Sequence, residues 1–211
     1  MEKEQLSAAE RVYYNKIEEK YNRLTWGKEM PVLKDNYNRV EKINGTIYNM
    51  SPSGGFMHSQ INGNLYHAIR QQLKDSVCVV SVENLDLYLS DDEYVIPDVM
   101  IICDRNQIKK DKYHGVPRFV VETLSPATSL KDKTIKKEKY AWLGIDEYWI
   151  ISPRERSVEV YYLEGTEYKL VGSHILVDDK EDENYNAEIM LTLRSLPTIS
   201  IILEKIFENI E

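Results

Sequence analysis

The fold is decided by the stretch VIPDVMIIC at residues 95–103 and by its partner FVVETL at residues 119–124. Both are continuous apolar segments, which is typical of central β-strands covered on both faces. Each carries one carboxylate, Asp98 in the first and Glu122 in the second. A buried carboxylate without a partner is strongly unfavourable, so each needs a cation, hydrogen-bond donors or a metal ion. Two of them in adjacent strands favour a shared metal.

Helical and strand patterns surround these two stretches. Ser7 and Glu10 form a capping-box pattern ahead of a helix expected over residues 7–24, and Asn44-Gly45 predicts a type I′ hairpin turn. Apolar residues at helical spacing predict further helices over residues 58–74 and 129–143. We also predict strands over residues 77–82, 85–89, 95–103, 118–124 and 147–152, a hairpin from Ser157 onward and a short C-terminal helix.

Composition is that of one globular domain. Hydrophobic residues make up 42% of the 211 residues and charged residues 29%, which excludes wholesale disorder. The N-terminus lacks a signal-peptide pattern, and no apolar stretch reaches the roughly 20 residues of a membrane span. Cys78 and Cys103 both lie in apolar runs and are interpreted as buried small hydrophobes, in preference to a disulfide or a metal pair. We therefore expect a cytoplasmic protein in a reducing compartment, with no membrane partner.

Charge is unevenly distributed along the chain. The formal net charge of -8 repels a polyanion at long range, which argues against nucleic-acid binding. Residues 105–139, however, contain ten Lys or Arg against four Asp or Glu, a local net charge of +6. This basic segment includes Glu122, so nucleic acid stays open as a partner.

Phosphodiester hydrolysis needs a hard cation on oxygen ligands, an activated water and positive charge near the phosphate. Asp98 and Glu122 can supply two ligands, and the Thr123 carbonyl a third. Lys136, on the helix that follows, can orient the water or offset phosphate charge, and Glu41 can bind a metal-bound water. The alternative for each residue is structural: a Lys136 with Asp132 four residues earlier is often a solvated surface pair.

At this point the residues match a known pattern. From about residue 40 to residue 207 the chain resembles the Uma-type family of predicted endonucleases, a bacterial domain of unknown function in the PD-(D/E)xK restriction-endonuclease-like superfamily. The matching residues are Glu41-Lys-Ile-Asn-Gly, Met50-Ser-Pro and His58, Ile96-Pro-Asp-Val, Val121-Glu-Thr-Leu-Ser-Pro-Ala-Thr, then Asp132, Lys136 and Tyr140, and finally Gly144-Ile-Asp-Glu-Tyr-Trp-Ile-Ile-Ser-Pro. Their order and spacing make the resemblance specific.

The resemblance implies an α/β fold. Its restriction-endonuclease-like core of mixed β-sheet flanked by helices would occupy residues 31–211, with residues 1–30 as an added N-terminal helical extension. It also implies Mg²⁺, with Mn²⁺ as a substitute, on Asp98, Glu122 and Thr123. The partners it implies are DNA and a second copy of the chain in a homodimer.

The superfamily lysine usually stands two residues after the second acidic residue, where this chain has Leu124. Lys136 matches by position on the next helix, and Lys133 and Lys139 are weaker substitutes that could also contact substrate. His58 could contact substrate, or cap and pack its helix instead. Asn44 stands where relatives tend to have Asp, which favours the hairpin turn over a ligand.

Three functions remain open at this stage. The first is a divalent-metal-dependent endonuclease acting on DNA, with Glu41, Asp98, Glu122 and Lys136 as catalytic residues. The second is a non-catalytic or regulatory interaction protein that keeps the site for stability, as the overall acidity and the displaced lysine suggest. The third is a hydrolase of small phosphate esters. Fold alone does not separate them, since function resides in sites.

Overall fold

The computed structural model describes residues 39–50, 55–177, 179–186 and 188–211. The predicted helix at residues 7–24, the extension at residues 1–30 and the Ser-Pro break at residues 51–54 lie outside the described residues. They stay predictions. Among the residues that are described, no helix is long and apolar enough to cross a membrane.

The described elements are named here in chain order. They are β1 (Val40–Ile43), β2 (Thr46–Asn49), α1 (Phe56–Gln72), β3 (Val79–Val82), β4 (Asp86–Tyr88), β5 (Tyr94–Val95), β6 (Val99–Ile102), a 3-10 turn (Arg105–Gln107), β7 (Ile108–Lys109), β8 (Lys112–Tyr113), β9 (Phe119–Thr123), α2 (Ser129–Lys131), a π-helical segment (Asp132–Lys136), α3 (Lys137–Leu143), β10 (Glu147–Ser152), β11 (Ser157–Glu164), β12 (Glu167–Ile175), β13 (Met190–Thr192), β14 (Ser200–Ile202) and α4 (Leu203–Ile206).

These strands form two six-stranded sheets and one short hairpin. The central sheet has the order β12-β11-β10-β9-β6-β3, and the N-terminal sheet the order β2-β1-β5-β4-β8-β7. Strands β9 and β10 are parallel, while β6 is antiparallel to both of its neighbours, β3 and β9. The crossover from β9 to β10 carries α2, the π-helical segment and α3, as a parallel connection requires. The predicted mixed sheet is therefore present.

Both faces of the central sheet are covered. On one face Phe119 and Val121 pack with Ile61 and Leu65 of α1, in a cluster that continues into α4. On the other face Val120 belongs to a cluster with residues of the N-terminal sheet and of α3. Because side chains alternate along a strand, Glu122 points to the same face as Val120, between the two sheets.

The predicted strand at residues 95–103 is in fact two strands. Strand β5 ends at Val95 in the N-terminal sheet, and β6 begins at Val99 in the central sheet. Pro97 lies between them, and proline cannot donate to a β-ladder. The break places Asp98 at the point where the chain crosses from one sheet to the other.

The other predicted elements compare closely with the structure. Asn44 and Gly45 have φ values of 51° and 73°, which confirms the type I′ turn of the β1–β2 hairpin. Helix α1 confirms the helix predicted at residues 58–74, whereas the β13–β14 hairpin was not predicted. On helix α3, Tyr140 is fully buried whereas Trp142 is 68% exposed.

The interpretation of the two cysteines as unpaired hydrophobes is wrong. Val79 pairs with Ile102 in the antiparallel ladder of β3 and β6, so the residues just outside this pair, Cys78 and Cys103, face each other. The structure joins them in a disulfide. Sequence distance hid this pairing because 25 residues separate the two cysteines.

We expect reduction of this disulfide to destabilise the fold. Closing a loop of 25 residues lowers the entropy of the unfolded chain, and this effect corresponds to about 3 kcal/mol of unfolding free energy. Urea unfolding with and without reductant measures the loss, and a double variant Cys78→Ser with Cys103→Ser should not respond to reductant. Alkylation of two thiols in the native, unreduced protein would show that the bond is absent.

Candidate active site

Asp98 and Glu122 lie opposite each other at the ends of neighbouring strands. Val99 pairs with Val121 in the antiparallel ladder of β6 and β9, and the same register continued by one residue sets Asp98 against Glu122. Opposed residues of an antiparallel pair share a face of the sheet. The two carboxylates are largely buried, with 8% and 2% of their surface exposed. The sequence-based expectation of neighbouring buried carboxylates is confirmed.

In each of these carboxylates the described residues form hydrogen bonds with one oxygen and with one oxygen alone. Oδ2 of Asp98 accepts from the Thr123 backbone N–H at 2.8 Å and lies 3.1 Å from Nε2 of His58. Oε1 of Glu122 accepts from the Lys136 ammonium at 2.6 Å and from the Tyr140 hydroxyl at 2.5 Å. Within the described chain no hydrogen bond reaches Oδ1 of Asp98 or Oε2 of Glu122, so both remain available as ligands.

Lys136 reaches the site from the π-helical segment. A π-helical turn holds more residues than an α-helical turn, and such segments often occur at functional sites. Here the segment turns both of its terminal residues, Asp132 and Lys136, into the protein, where they are buried. The Tyr148 hydroxyl donates to the carbonyl of Asp132 at 3.1 Å, which satisfies a backbone acceptor of this turn.

The Lys136 ammonium lies among three carboxylates. Its Nζ is 2.6 Å from Glu122 Oε1, 3.0 Å from Glu41 Oε1 and 3.7 Å from Asp132 Oδ1. Burial by itself would lower the pKa of Lys136, but the surrounding carboxylates raise it well above its usual value. The side chain is only 3% exposed, so it is a buried cation and the solvated surface pair considered from the sequence is excluded.

Glu41 is fully buried in β1 and is held from three sides. It accepts from the Ile96 backbone N–H at 3.0 Å and forms ion pairs with Lys131 and Lys136. Burial opposes ionisation, yet the two ammonium groups lower the pKa of Glu41 from 4.5 to about 2. Glu41 therefore stays ionised and fixes the position of Lys136.

This shift predicts how Glu41 contributes to stability as pH changes. Because its pKa is lower in the folded than in the unfolded chain, the contribution is present above pH 4.5 and is lost as pH falls towards 2. The shift corresponds to about 3 kcal/mol. Urea unfolding of the wild type and of Glu41→Gln should differ most at pH 7 and least near pH 2. A difference that does not change with pH would contradict this role.

Two carboxyl groups at the centre of the cleft have raised pKa values. Burial raises the pKa of Glu122 well above its usual value, against the effect of Lys136, and burial also raises the pKa of Asp132. Oδ1 of Asp132 accepts no hydrogen bond within the described chain. The carboxyl groups that line the cleft are Glu41, Glu83, Asp98, Glu122 and Asp132, and the basic groups are Arg39, His58, Lys131 and Lys136. The cleft is thus lined by five acidic groups and four basic groups.

A hydrogen-bonded network supports the Asp98 side of the cleft. His58, at the start of α1, lies between Asp98 and Glu83, at 3.1 Å and 3.4 Å. Burial opposes protonation of the ring, but hydrogen bonds with these two carboxylates raise the pKa of His58 to about 10. Asn62, one turn later, donates to Glu83 at 2.7 Å and accepts from the Thr123 hydroxyl at 2.7 Å. The network ties α1 to the ends of β3 and β9.

The cleft has a volume of about 190 Å³ and brings together most of the predicted site residues. Glu41, His58, Asp98, Glu122 and Lys136 line it. The remaining predicted site residues do not line the cleft. Thr123 does not line the cleft, Lys133 pairs with Glu159 at 3.3 Å, and Lys139 pairs with Glu93 at 2.6 Å. A ligand role for the Thr123 carbonyl and substrate contacts by the two lysines stay predictions.

Several site residues were not among the sequence-based candidates. The sequence does indicate that Asp132 and Tyr140 lie near Lys136, since the three residues are four positions apart and share one helix face. Asn62 is a polar residue one turn after His58 on a helix with an apolar face, which is a weak signal. Glu83 follows β3 in a polar turn and had no signal. Its role depends on contacts with residues far away in the chain.

The sheet order and the opposed carboxylates define a restriction-endonuclease-like fold. The chain belongs to the Uma2 family, because the family model, described as putative restriction endonuclease, matches residues 19–193. The family resemblance inferred from the motifs is therefore confirmed.

Two individual proteins are also similar to this chain. A crystal structure of a putative nuclease belonging to DUF820 from Anabaena variabilis has a TM-score of 0.63 at 19% identity, and the match covers 82% of this chain and 91% of that chain. At this identity the likeness shows the fold. Uncharacterized protein slr1290 of Synechocystis is 28% identical over 124 residues, which are 58% of this chain and 65% of that protein.

Proposed function

We propose that this protein is a divalent-metal-dependent endonuclease that hydrolyses phosphodiester bonds of DNA. One observation carries the proposal: Asp98 and Glu122 oppose each other in one cleft, and the ammonium of Lys136 lies 2.6 Å from Glu122. The nuclease description of the family and of the structural relative agrees with it.

The donor set of the cleft suits a hard divalent cation such as Mg²⁺, with Mn²⁺ as a substitute. Oδ1 of Asp98 and Oε2 of Glu122 accept no hydrogen bond from the described residues, and carboxylate oxygens are the ligands these ions prefer. Asp132 Oδ1 is buried, accepts no hydrogen bond from the described residues and lies 3.7 Å from the Lys136 ammonium, so it can take a further positive charge. When bound, the ion would supply Lewis acidity and lower the pKa of a water molecule.

The protein's own residues then have separate tasks. Asp98 and Glu122 bind the ion, and the Thr123 N–H and the Tyr140 hydroxyl fix their orientation. Lys136 provides positive charge for the phosphate oxygens that become more negative in the transition state. Glu41 holds the Lys136 ammonium in place at 3.0 Å. Hydrolysis forms a bond from water oxygen to phosphorus and breaks the bond from phosphorus to a sugar oxygen.

DNA as the substrate and a homodimer are parts of this proposal, whereas the cytoplasmic location expected from the sequence loses the support of unpaired cysteines, because Cys78 and Cys103 form a disulfide. The family description supports a nucleic-acid substrate. A cut through both strands of a duplex needs two sites, which a homodimer would provide. Arg39 lines the cleft together with Lys136 and would add positive charge for a phosphate that enters it.

Cleavage of supercoiled plasmid tests the proposal. Purified protein should nick or linearise plasmid with Mg²⁺ or Mn²⁺ and should be inactive with a chelator. Asp98→Asn should be inactive, whereas Asp92→Asn should keep full activity, because Asp92 is exposed and its ion pair among the described residues is with Lys42 at 2.5 Å. Equal cleavage by wild type and Asp98→Asn would exclude Asp98 from the reaction.

A second candidate, a non-catalytic interaction protein on the same fold, is favoured by one observation. Lys131, Lys133 and Lys139 are each already paired with a carboxylate, so these cations are not free to bind phosphate. Calorimetric titration with Mg²⁺ separates the two functions. A nuclease should bind the ion and lose binding in Asp98→Asn, whereas a retired site should show no binding.

A further inference from the structure

Three potential metal ligands, Asp98 and two residues beside it, form a cluster at one end of the cleft. The ligand atoms of His58, Glu83 and Asp98 all lie within 4.8 Å of one another. His58 Nε2 is 3.1 Å from Asp98 Oδ2, and His58 Nδ1 is 3.4 Å from Glu83 Oε1. The three residues come from α1, from the end of β3 and from the start of β6, so the fold assembles them from separate elements.

We propose that His58, Glu83 and Asp98 form a second cation site, which takes a transition-metal ion such as Mn²⁺, Co²⁺ or Zn²⁺. This inference rests on the proposed function, because Asp98 would be shared with the ion on Glu122. Neither His58 as a ligand nor Glu83 as a site residue was part of the sequence-based metal site.

The separations suit a common ion. Ligand atoms about 2.0–2.2 Å from one ion lie roughly 3–4 Å apart, and one ring nitrogen of His58, one oxygen of Glu83 and one oxygen of Asp98 all lie within 4.8 Å of one another, so a small shift brings them around a single ion. Asp98 presents Oδ2 towards His58, while Oδ1 is free on its other side. A carboxylate in this position can bridge two ions, as in sites where the ions are about 3.5–4 Å apart.

Neighbouring residues form hydrogen bonds with the three ligand residues and fix their positions. Asn62 is buried and donates to Glu83 Oε1 at 2.7 Å, and its own oxygen accepts from Thr123 at 2.7 Å. The backbone N–H of Glu83 donates to the Asp98 carbonyl at 2.9 Å, which keeps the two ligand residues side by side. Partners of this kind orient metal ligands, and their loss typically weakens metal binding about 10-fold to 100-fold.

The histidine determines which ions this site prefers. An imidazole nitrogen suits Zn²⁺, Co²⁺ and similar ions, whereas Mg²⁺ prefers an all-oxygen set. The two sites should therefore differ in selectivity, with Mg²⁺ favoured at Asp98 and Glu122 and transition metals favoured at His58 and Glu83.

Pulsed EPR of bound Mn²⁺ tests the second site, since a coordinated imidazole nitrogen modulates the echo. The experiment uses Glu122→Gln to remove the first site and Mn²⁺ alone as the probe. We expect one bound Mn²⁺ with nitrogen modulation, which should vanish when His58→Ala is added. His67→Ala is the matched control and should keep the signal, because His67 is exposed on the same helix. Asn62→Ala should raise the Mn²⁺ dissociation constant about 10-fold or more.

The outcomes separate this proposal from the proposed function. Mn²⁺ bound to the wild type without nitrogen modulation would overturn the second site and leave the endonuclease proposal intact. Nitrogen-coupled binding that is identical in the wild type and in Glu122→Gln would support the second site and overturn the ion on Glu122. Circular dichroism of each variant, compared with the wild type, checks that a lost signal reflects lost ligation in a folded chain.

Discussion

Replacement of Lys136 by methionine is expected to lower the free energy of unfolding by about 3–5 kcal/mol. The ammonium is buried within 3.0 Å of both Glu41 and Glu122, and no other described cation touches Glu122. Removing it leaves buried carboxylates without their counter-charge, which is far costlier than losing an exposed pair. Urea unfolding at pH 7 measures the effect.

Lys133→Met is the matched control for this change. Lys133 lies in the same π-helical segment, but its side chain is exposed and its ion pair with Glu159, at 3.3 Å, is screened by solvent. Loss of Lys133 should therefore lower the free energy of unfolding by less than about 1 kcal/mol. Addition of Mn²⁺ should restore part of the stability of Lys136→Met, because a divalent ion can replace the missing positive charge. Equal stability of Lys136→Met and the wild type would show that the buried carboxyls carry protons in place of charge.

Glu122→Gln is expected to abolish cleavage while leaving the fold at least as stable as the wild type. Burial and neighbouring carboxylates raise the pKa of Glu122, so its charge is unfavourable in the metal-free protein. Glutamine keeps a carbonyl oxygen that can accept from Lys136 and Tyr140, but it is a poor ligand for Mg²⁺. Loss of roughly 4 kcal/mol of transition-state stabilisation corresponds to a 1000-fold lower rate.

Two measurements on the same preparation check this separation of activity from stability. Plasmid cleavage should fall about 1000-fold, and the midpoint of urea unfolding should stay the same or rise. Glu159→Gln is the control, since Glu159 lies on β11 and does not line the cleft. If Glu122→Gln unfolds at a lower urea concentration than the wild type, the Glu122 carboxylate stabilises the fold and the prediction is wrong.

The chemistry at the centre of the site was predictable from the sequence. Asp98 and Glu122 stand out because a carboxylate inside an apolar strand needs a cation, hydrogen-bond donors or a metal ion beside it. Lys136 was predicted from its place on the helix that follows Glu122 and from the family resemblance, and its four-residue spacing from Asp132 and Tyr140 sets the three on one face of that helix. The same spacing did not reveal that a π-helical segment turns these residues inward.

The features that could not be predicted depend on pairing between distant residues. The disulfide follows from the register of β3 and β6, and the sequence does not state that register. The ion pairs of Lys133 with Glu159 and of Lys139 with Glu93 join residues 26 and 46 positions apart. Glu83 likewise depends on the packing of α1. Local patterns contain none of these contacts.

The π-helical segment also constrains how long the chain can be at this point. Each residue of an α-helix advances the next by about 100°, so loss of one residue from Asp132–Lys136 would rotate everything after it by that angle. Tyr140 would then take the helical position now held by Lys139, and its hydroxyl would no longer donate to Glu122. Spacing in this turn is thus as necessary to the cleft as the identity of its side chains.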